Sequence, residues 1–599
     1  MVRRTAYCTS VYALRTDYDR LLASCRKQKI THLSLVAAIT GKLYGTPEEF
    51  AYWRDRMLAD GLTTWGEVIG NGHPAMGEYY TAQGKPMPDL FWEGELVFSK
   101  EVPPHSNLLP RGWQYAVNEF GNPVYCNACP NEACIAGNQW VILQIAPVFD
   151  EIWFDDEFRL DGDQGAGHPY GSTAACYCDR CMADLSARLG RPVTREQVLA
   201  DQEISDAWTD QRVDKLAAMW QAICDTAREV NPKVSMGLMV RWSGEERDGL
   251  DIDRLLPSFG AKPLFRAGEG HFTKREYDQP VSQVMEHLVT SYHISWFPHD
   301  VDVWSETTYF DGVTHQDLLK KIALSLGAGT RAIAYCPCIT SKEWISAQDY
   351  MAEDDAAIEA WGAALGDAAR QYQPIAILRS VSAGRGDRQP TQRARDRQVF
   401  PLFSLAGMFS TVIRQGAWRD TGEQQVLAIT GRTALNFSLE AIGTRELVLD
   451  GAALLENTLL NSQLGIDDVV KGADGLISSS GGGFEADGLL WTRGKITVIP
   501  YVWQDVPEPL LTQLLGDIRR VLAPKTAAVV VQGDLGVLPV HYRHNVRDAI
   551  LLVNLHHEPR TVELEIKGAR TRLVDAVGQP VANKMTLAAD EIMLVYATE

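Results

Sequence analysis

Through about its first 365 residues the chain repeats one rhythm, a short apolar run followed by an amphipathic helical segment. "TAYCTSVYAL" (5–14) leads into a helix around "DYDRLLASCRKQ", and "THLSLVAAIT" (31–40) into one around "TPEEFAYWRDRMLADG". "LTTWGEVIG" (62–70) and, after a long excursion, "FDEIWFDDEF" (149–158) continue the series. Past the helical stretch "ISDAWTDQRVDKLAAMWQAICDTAREV" come "KVSMGLMVRW" (233–242), "KPLFRAGEG" (262–270), "HISWFPHDVDVWSE" (293–306) and "RAIAYCPC" (331–338). Eight such runs with helices between them are the count of a closed (β/α)8 TIM barrel, whose active site lies at the C-terminal ends of the strands. A doubly wound open sheet would give similar local patterns, but no G-x-G-x-x-G follows the first strand.

The rhythm restarts near residue 368 with "YQPIAILRS", "QVLAITG" and "RELVLDGAALLENTL", then "GKITVIPYVWQD" and the helix "PEPLLTQLLGDIRRVL". From about 525 the runs "AAVVVQ", "DAILLVNLHH", "RTVELEIKG" and "IMLVYATE" alternate apolar and polar residues with period two, the mark of an antiparallel sheet. The expected fold class is thus α/β: a barrel over 1–367, a smaller α/β domain over 368–524 and a C-terminal antiparallel β domain, sandwich-like, over 525–599.

Charge narrows the partners. With 57 Lys and Arg against 77 Asp and Glu, the net charge of −20 argues against nucleic acid or an anionic membrane and favours a neutral ligand. The N-terminal segment lacks the unbroken apolar region of a signal peptide, and no window offers the ~18 apolar residues of a membrane span. A cytoplasmic location is expected, and the 11 Cys, several of them clustered, suit reduced thiols or a metal site there better than disulfides.

On the barrel reading, the acids Asp155, Asp156 and Glu157 end the fourth strand, Glu269 the sixth and Glu306 the seventh. Two carboxylates facing each other across a barrel mouth are what glycoside cleavage needs: one protonates the leaving oxygen, the other attacks the anomeric carbon or activates water. Glu157 and Glu306 are the catalytic candidates, with Asp155, Asp156 and Glu269 as alternative acids or substrate-positioning groups. A strand-end acid also commonly caps the next helix or pairs with Arg; the aromatic settings of Glu157 and Glu306 favour catalysis. Trp242, His271, Trp296, Trp304 and Tyr309 are candidate sugar-binding residues, the competing use of each being packing.

Cys176, Cys178 and Cys181 form C-x-C-x-x-C, which lets three thiolates converge on one tetrahedral ion, and Cys126, Cys129 or Cys134 upstream can supply the fourth. A closed four-sulfur zinc site has no open position for water and is structural. Free thiols or a redox pair are the alternative, while Cys8, Cys25 and Cys224 lie in core patterns and Cys336 and Cys338 end the eighth strand.

Taken together, the acid ending strand four, the C-x-C-x-x-C after it, the upstream Cys beside "PN" and the Glu ending strand seven resemble the family 42 β-galactosidases of the retaining barrel-glycosidase clan. The segment "VLAITGRTALNFSLEAIGTRELVLDGAALLENTLLNSQLG" is similar to the middle segment of such proteins. The resemblance implies a zinc-bearing barrel, a glutamine-amidotransferase-like trimerisation domain and a small β domain, in a divergent member. It further implies a retaining exo-acting β-glycosidase acting on terminal glycosidic bonds, with Glu157 as acid/base, Glu306 as nucleophile, and Cys129, Cys176, Cys178 and Cys181 as zinc ligands. One departure stands out: the clan has Asn before its acid/base, and this chain has Asp156. Competing readings are a galactofuranose- or arabinose-releasing barrel enzyme, a non-catalytic carbohydrate-binding protein, and a zinc-dependent hydrolase, the last needing an open metal site.

Overall fold

The computed structural model describes residues 2–72, 109–155, 158–160, 175–240, 246, 249–260, 262–267, 274–297, 301–308, 313–336, 354–365, 370–371, 373–384, 400–417, 425–431, 439–443, 445–526, 529–568 and 570–599. Eight parallel strands form one closed sheet: β1 Arg3–Thr9, β2 His32–Ile39, β3 Thr63–Ile69, β4 Glu151–Phe154, β5 Ser235–Met239, β6 Leu264–Ala267, β7 Asp302–Thr308 and β8 Ala332–Cys336. Closure comes at β1, which pairs with β8 from Arg3↔Ala332 to Ala6↔Tyr335 and with β2 from Thr5↔His32. The expected barrel is present.

Two of the apolar runs include residues that belong to helices. The first strand stops at Thr9 because the Ser10 hydroxyl accepts the Ala13 N–H and starts the helix Val11–Lys27 inside "TSVYAL". The run 293–306 divides in two: its first residues finish the helix Pro280–Ile294, and β7 begins at Asp302. Buried Val284, Leu288 and Tyr292 carry the helical period up to His293, so apolar character alone misplaced the strand start.

Alternation along each strand sends every second residue inward. In the N-terminal half of the barrel these inward residues are large: Trp65, Trp153 and Trp304, each the third residue of its strand, fill the interior as one packed cluster. The Trp65 ring lies 5.3 Å from that of Trp153 and 5.2 Å from that of Trp304, with the guanidinium of Arg3 over Trp304 at 5.3 Å. Gly237 on β5 is the register partner of Trp153 on the adjacent strand, and a Cβ there would come within 2.5 Å of the indole; the glycine leaves room for the ring.

Beyond the barrel, a second sheet has five parallel strands in the order Ser410–Arg414, Ile375–Arg379, Val426–Ile429, Glu446–Asp450, Ile496–Ile499, extended antiparallel by Leu490–Arg493 and Glu485–Asp487. Its edge strand is covered by the barrel: the hydroxyls of Ser291 and Ser295 accept the N–H groups of Val412 and Arg414 at 3.0 and 2.8 Å. The C-terminal residues form two antiparallel sheets whose facing residues, among them Val531, Val537, Ile550, Leu552 and Leu564, make one core.

Candidate functional site

Two residues beyond each interior tryptophan, on the same inward face, stands a carboxylate: Glu67 after Trp65, Asp155 after Trp153 and Glu306 after Trp304. The apolar plug thus gives way to a ring of acids toward the C-terminal strand ends. All three are buried, and among them reaches Arg266, the third residue of β6, only 1% exposed. Its Nη2 lies 3.5 Å from Asp155 Oδ1 and its Nη1 3.6 Å from Glu306 Oε1. Asp155 follows β4 and is fixed by its own N–H, which donates to Val68 O at 3.0 Å. Glu67 accepts a short hydrogen bond from the hydroxyl of Ser34 on β2. A guanidinium between carboxylates from β4 and β7 offsets repulsion that a low-dielectric interior would otherwise magnify. The arrangement can hold two acids from opposite sides of the barrel in one place, which is the geometric requirement of two-carboxylate chemistry.

The sequence-derived candidates fare unequally. Glu306 and Asp155 come together through Arg266. Glu157, Asp156, Glu269, Trp242, His271 and Tyr309 lie outside the described residues. Trp304 is buried in the N-terminal half of the barrel, against Trp65 and His32, four residues before the end of β7. Trp296 follows the end of the helix Pro280–Ile294 and packs outside the strands, its ring 5.8 Å from that of Phe265. Both tryptophans are buried in ring-packing contacts. Sequence reading missed Arg266 and Glu67, although W-x-(Asp/Glu) recurs in the third, fourth and seventh strands and an Arg interrupts the apolar run "KPLFRAGEG".

Beside the barrel, Cys129, Cys176, Cys178 and Cys181 bring their sulfurs within 4.8 Å of one another, all buried. Cys129 Sγ is 3.6 Å from Cys181 Sγ and 3.8 Å from Cys178 Sγ. Those spacings are far beyond a disulfide bond and match the ~3.8 Å that a tetrahedron with zinc–sulfur bonds of ~2.3 Å requires. Hydrogen bonding with Cys129, Cys176 and Cys181 holds the Cys178 thiol far below its ordinary range, while burial pushes Cys176 up. Polar donors surround the cluster: Val117 N–H and Cys178 N–H reach Cys176 Sγ at 3.3 and 3.4 Å, Gln114 Nε2 reaches Cys178 Sγ at 3.1 Å, and Lys215 Nζ reaches Cys181 Sγ at 3.3 Å. The donor set fits a divalent ion held by four thiolates, which leaves no position open for water. Of the three upstream candidates Cys129 completes the set; Cys134 is buried apart, 3.8 Å from the Asn138 amide, and the Cys126 side chain lies outside the described residues. Cys25 and Cys224 are core residues, as their patterns suggested.

The closed parallel barrel thus carries buried acids from just past its fourth strand and from its seventh, joined by one guanidinium. Among solved structures the chain has the fold of GH42 β-galactosidases. It matches a catalytic mutant of Gan42B, a GH42 β-galactosidase from G. stearothermophilus, with a TM-score of 0.65 at 11% identity, covering 100% of this chain and 98% of that one. The β-galactosidase from Bacillus circulans sp. alkalophilus matches at a TM-score of 0.64 and 11% identity, covering 100% of this chain and 99% of that one. An α-L-fucosidase, isoenzyme 2 from Paenibacillus thiaminolyticus, matches at 0.62 and 12% identity over 100% and 99%. The likeness is one of fold. No family model matches the chain, and no curated protein matches it in sequence. Among the described residues no helix is long and apolar enough to cross a membrane.

Proposed function

We propose that the chain is a retaining, exo-acting β-glycosidase of the β-galactosidase-like type. The observation that carries this reading is the Arg266 bridge, which gathers Asp155 from the end of β4 and Glu306 from β7 in one buried place within a fold shared by GH42 β-galactosidases. In the proposed reaction Glu306 attacks the anomeric carbon while Glu157 gives its proton to the departing glycosidic oxygen; Glu157 then takes a proton from water, which displaces Glu306 and restores the original configuration. Arg266 keeps the nucleophilic carboxylate in place and compensates its charge before attack. Asp156, where the clan has Asn, accepts a hydrogen bond from a substrate hydroxyl instead of donating one.

Zinc in the four-cysteine site supplies a structural cross-link and takes no part in bond cleavage. A homotrimer built through the residues 368–524, read as an amidotransferase-like domain, and a cytoplasmic location complete the proposal; light scattering of the purified chain tests the former. The comparable match to a fucosidase supports a second reading, a barrel glycosidase of other sugar preference, galactofuranosidase- and arabinosidase-type activity included. The deciding experiment is a panel of aryl glycosides of both anomers, with the first-formed product followed by NMR. Cleavage of a β-galactoside with net retention supports the leading reading; inversion, or no cleavage of any β-glycoside in the panel, overturns it.

A further inference from the structure

The long helix Gln202–Val230, between β4 and β5, presents Trp208, Gln211, Arg212 and Lys215 at the 0, 3, 4, 7 spacing of a single helical stripe. That stripe grips the cysteine segment along its length. Trp208 Nε1 donates to Cys176 O at 3.2 Å and its ring stacks on Tyr177 at 4.3 Å; Gln211 Nε2 donates to Cys181 O at 2.8 Å; Lys215 bonds Cys181 Sγ.

Arg212 does something different. It is 3% exposed, and its guanidinium stacks over Trp208 at 4.5 Å. Its donors fan out to backbone carbonyls in three places: Nε in a short bond to Ala175 O, Nη2 to Leu160 O at 2.7 Å, and Nη1 to Glu246 O at 3.4 Å. Leu160 ends the short turn that follows β4, in which Phe158 N–H donates to Asp155 O at 3.0 Å. Ala175 immediately precedes the first metal-site cysteine and donates its own N–H back to Leu160 O at 3.1 Å. Glu246 lies beyond β5. One rigid fork therefore fastens the turn after β4, the entrance to the cysteine cluster and the connection after β5 to each other.

We propose that Arg212 is a positioning residue for the acid-bearing turn after β4, transmitting the rigidity of the four-cysteine site and the long helix to that turn. The inference deepens the glycosidase reading and rests on it for its kinetic consequence. In sequence, Glu157, the acid/base of the proposed reaction, lies between Asp155 and Phe158, and its proton must arrive at the leaving oxygen in the transition state. Loosening the fork misplaces the proton donor and leaves the nucleophile on β7 untouched. The penalty then depends on how much protonation the leaving group needs, which a general loss of folded protein cannot mimic.

The test compares wild type, Arg212→Met and Arg212→Lys in the full-length chain on 2,4-dinitrophenyl, 4-nitrophenyl and phenyl β-D-galactopyranosides. Expected is a kcat/KM loss at least tenfold larger for the phenyl than for the dinitrophenyl substrate in Arg212→Met, with cysteine-bound metal retained. Arg212→Lys, which keeps the cation without the fork, should show the same trend and carries the comparison should the Met variant fail to fold. A second measurement stands apart from activity: amide hydrogen exchange at Phe158 and Ala175 should quicken at least tenfold in the variants, with the helix Asp179–Leu189 unchanged. Equal losses on all three substrates, or unchanged exchange at those two amides, overturn the proposal. If wild type cleaves none of the three, the function reading fails on this substrate class and the exchange result alone decides the role of Arg212.

Discussion

Arg266 Nη1 lies 3.6 Å from Glu306 Oε1, with both side chains buried inside the barrel. The same guanidinium reaches Asp155, so one cation serves two carboxylates delivered by strands three places apart in the sheet. Removing it takes a buried cation away from two buried carboxylates. Arg266→Met should therefore cost about 3 kcal/mol of stability, by the usual penalty for breaking a buried pair, and should lower kcat more than it raises KM. Denaturant titration and steady-state kinetics check the two halves separately.

Trp304 supplies the contrast. Packed among Trp65, His32 and Arg3 in the lower barrel, it should behave as a core residue. Trp304→Ala is expected to cost about 3–5 kcal/mol, the usual range for emptying a buried aromatic site. Its substrate KM, in protein that remains folded at low temperature, should stay within about threefold of wild type; a large KM increase with unchanged stability would return Trp304 to the sugar-binding residues.

The difference between these two positions marks what could be read from sequence. Eight βα units were legible because buried parallel strands are apolar on both faces and separate cleanly from amphipathic helices. The height of a side chain inside the barrel was not, since it depends on where each strand starts, and the start of β7 was hidden by a helix end as apolar as the strand itself. Trp304 therefore looked close to the mouth. The cysteine site was legible because its spacing is chemical; which upstream cysteine completes it needed the fold, which brings Cys129 to the cluster and leaves Cys134 in the wall. The Arg212 fork was invisible because the bonds that form it end on backbone carbonyls, and carbonyls have no signature in a sequence.

The metal site yields a stoichiometric expectation. Protein purified without chelator should carry about one zinc per chain, by the closed-site logic of four convergent thiolates. Cys129→Ser should release it to a chromogenic chelator at least about tenfold faster than Cys224→Ser, whose thiol is packed in the core away from the cluster. Equal release from the two variants, or nitrogen and oxygen ligation in an absorption spectrum, would overturn the four-sulfur zinc site.

Acid should weaken the fold through histidine. His287 is fully buried, its Nδ1 3.2 Å from Leu324 O, and desolvation depresses its pKa to about 4. Burial and then Arg3 bring His32 to about 4 as well. In the unfolded chain both titrate near 6.5, so there the unfolded state binds the extra protons. Stability is thus complete above about pH 6.5 and falls as pH drops toward about 4, by up to about 3 kcal/mol for each ring. Urea midpoints at pH 7 and pH 4.5 measure the loss, and His287→Gln should flatten the slope by roughly half of it.

The acids themselves separate by their chemistry. If Glu306 is the nucleophile, Glu306→Ala stops turnover, because no glycosyl-enzyme can form without the attacking carboxylate. Added azide then enters from the vacated side and gives a glycosyl azide of inverted configuration. Glu157→Ala should act on the other half of the reaction: substrates with good leaving groups still form the intermediate, its hydrolysis becomes limiting, and azide yields a product of retained configuration. Asp156→Asn replaces the charged group with a neutral amide of the same size, so a modest change assigns Asp156 to a sugar hydroxyl, whereas a loss equal to that of Glu157→Ala means the proton is shared by the pair. Arg266 sharpens the test, because Asp155 is held by the same guanidinium as Glu306 and a displaced cation could mimic a lost nucleophile. Asp155→Asn keeps the size of that side chain and removes its charge; it should leave the stereochemistry of both azide products unchanged. An inverted azide from Asp155→Asn in place of Glu306→Ala would move the nucleophile from β7 to β4.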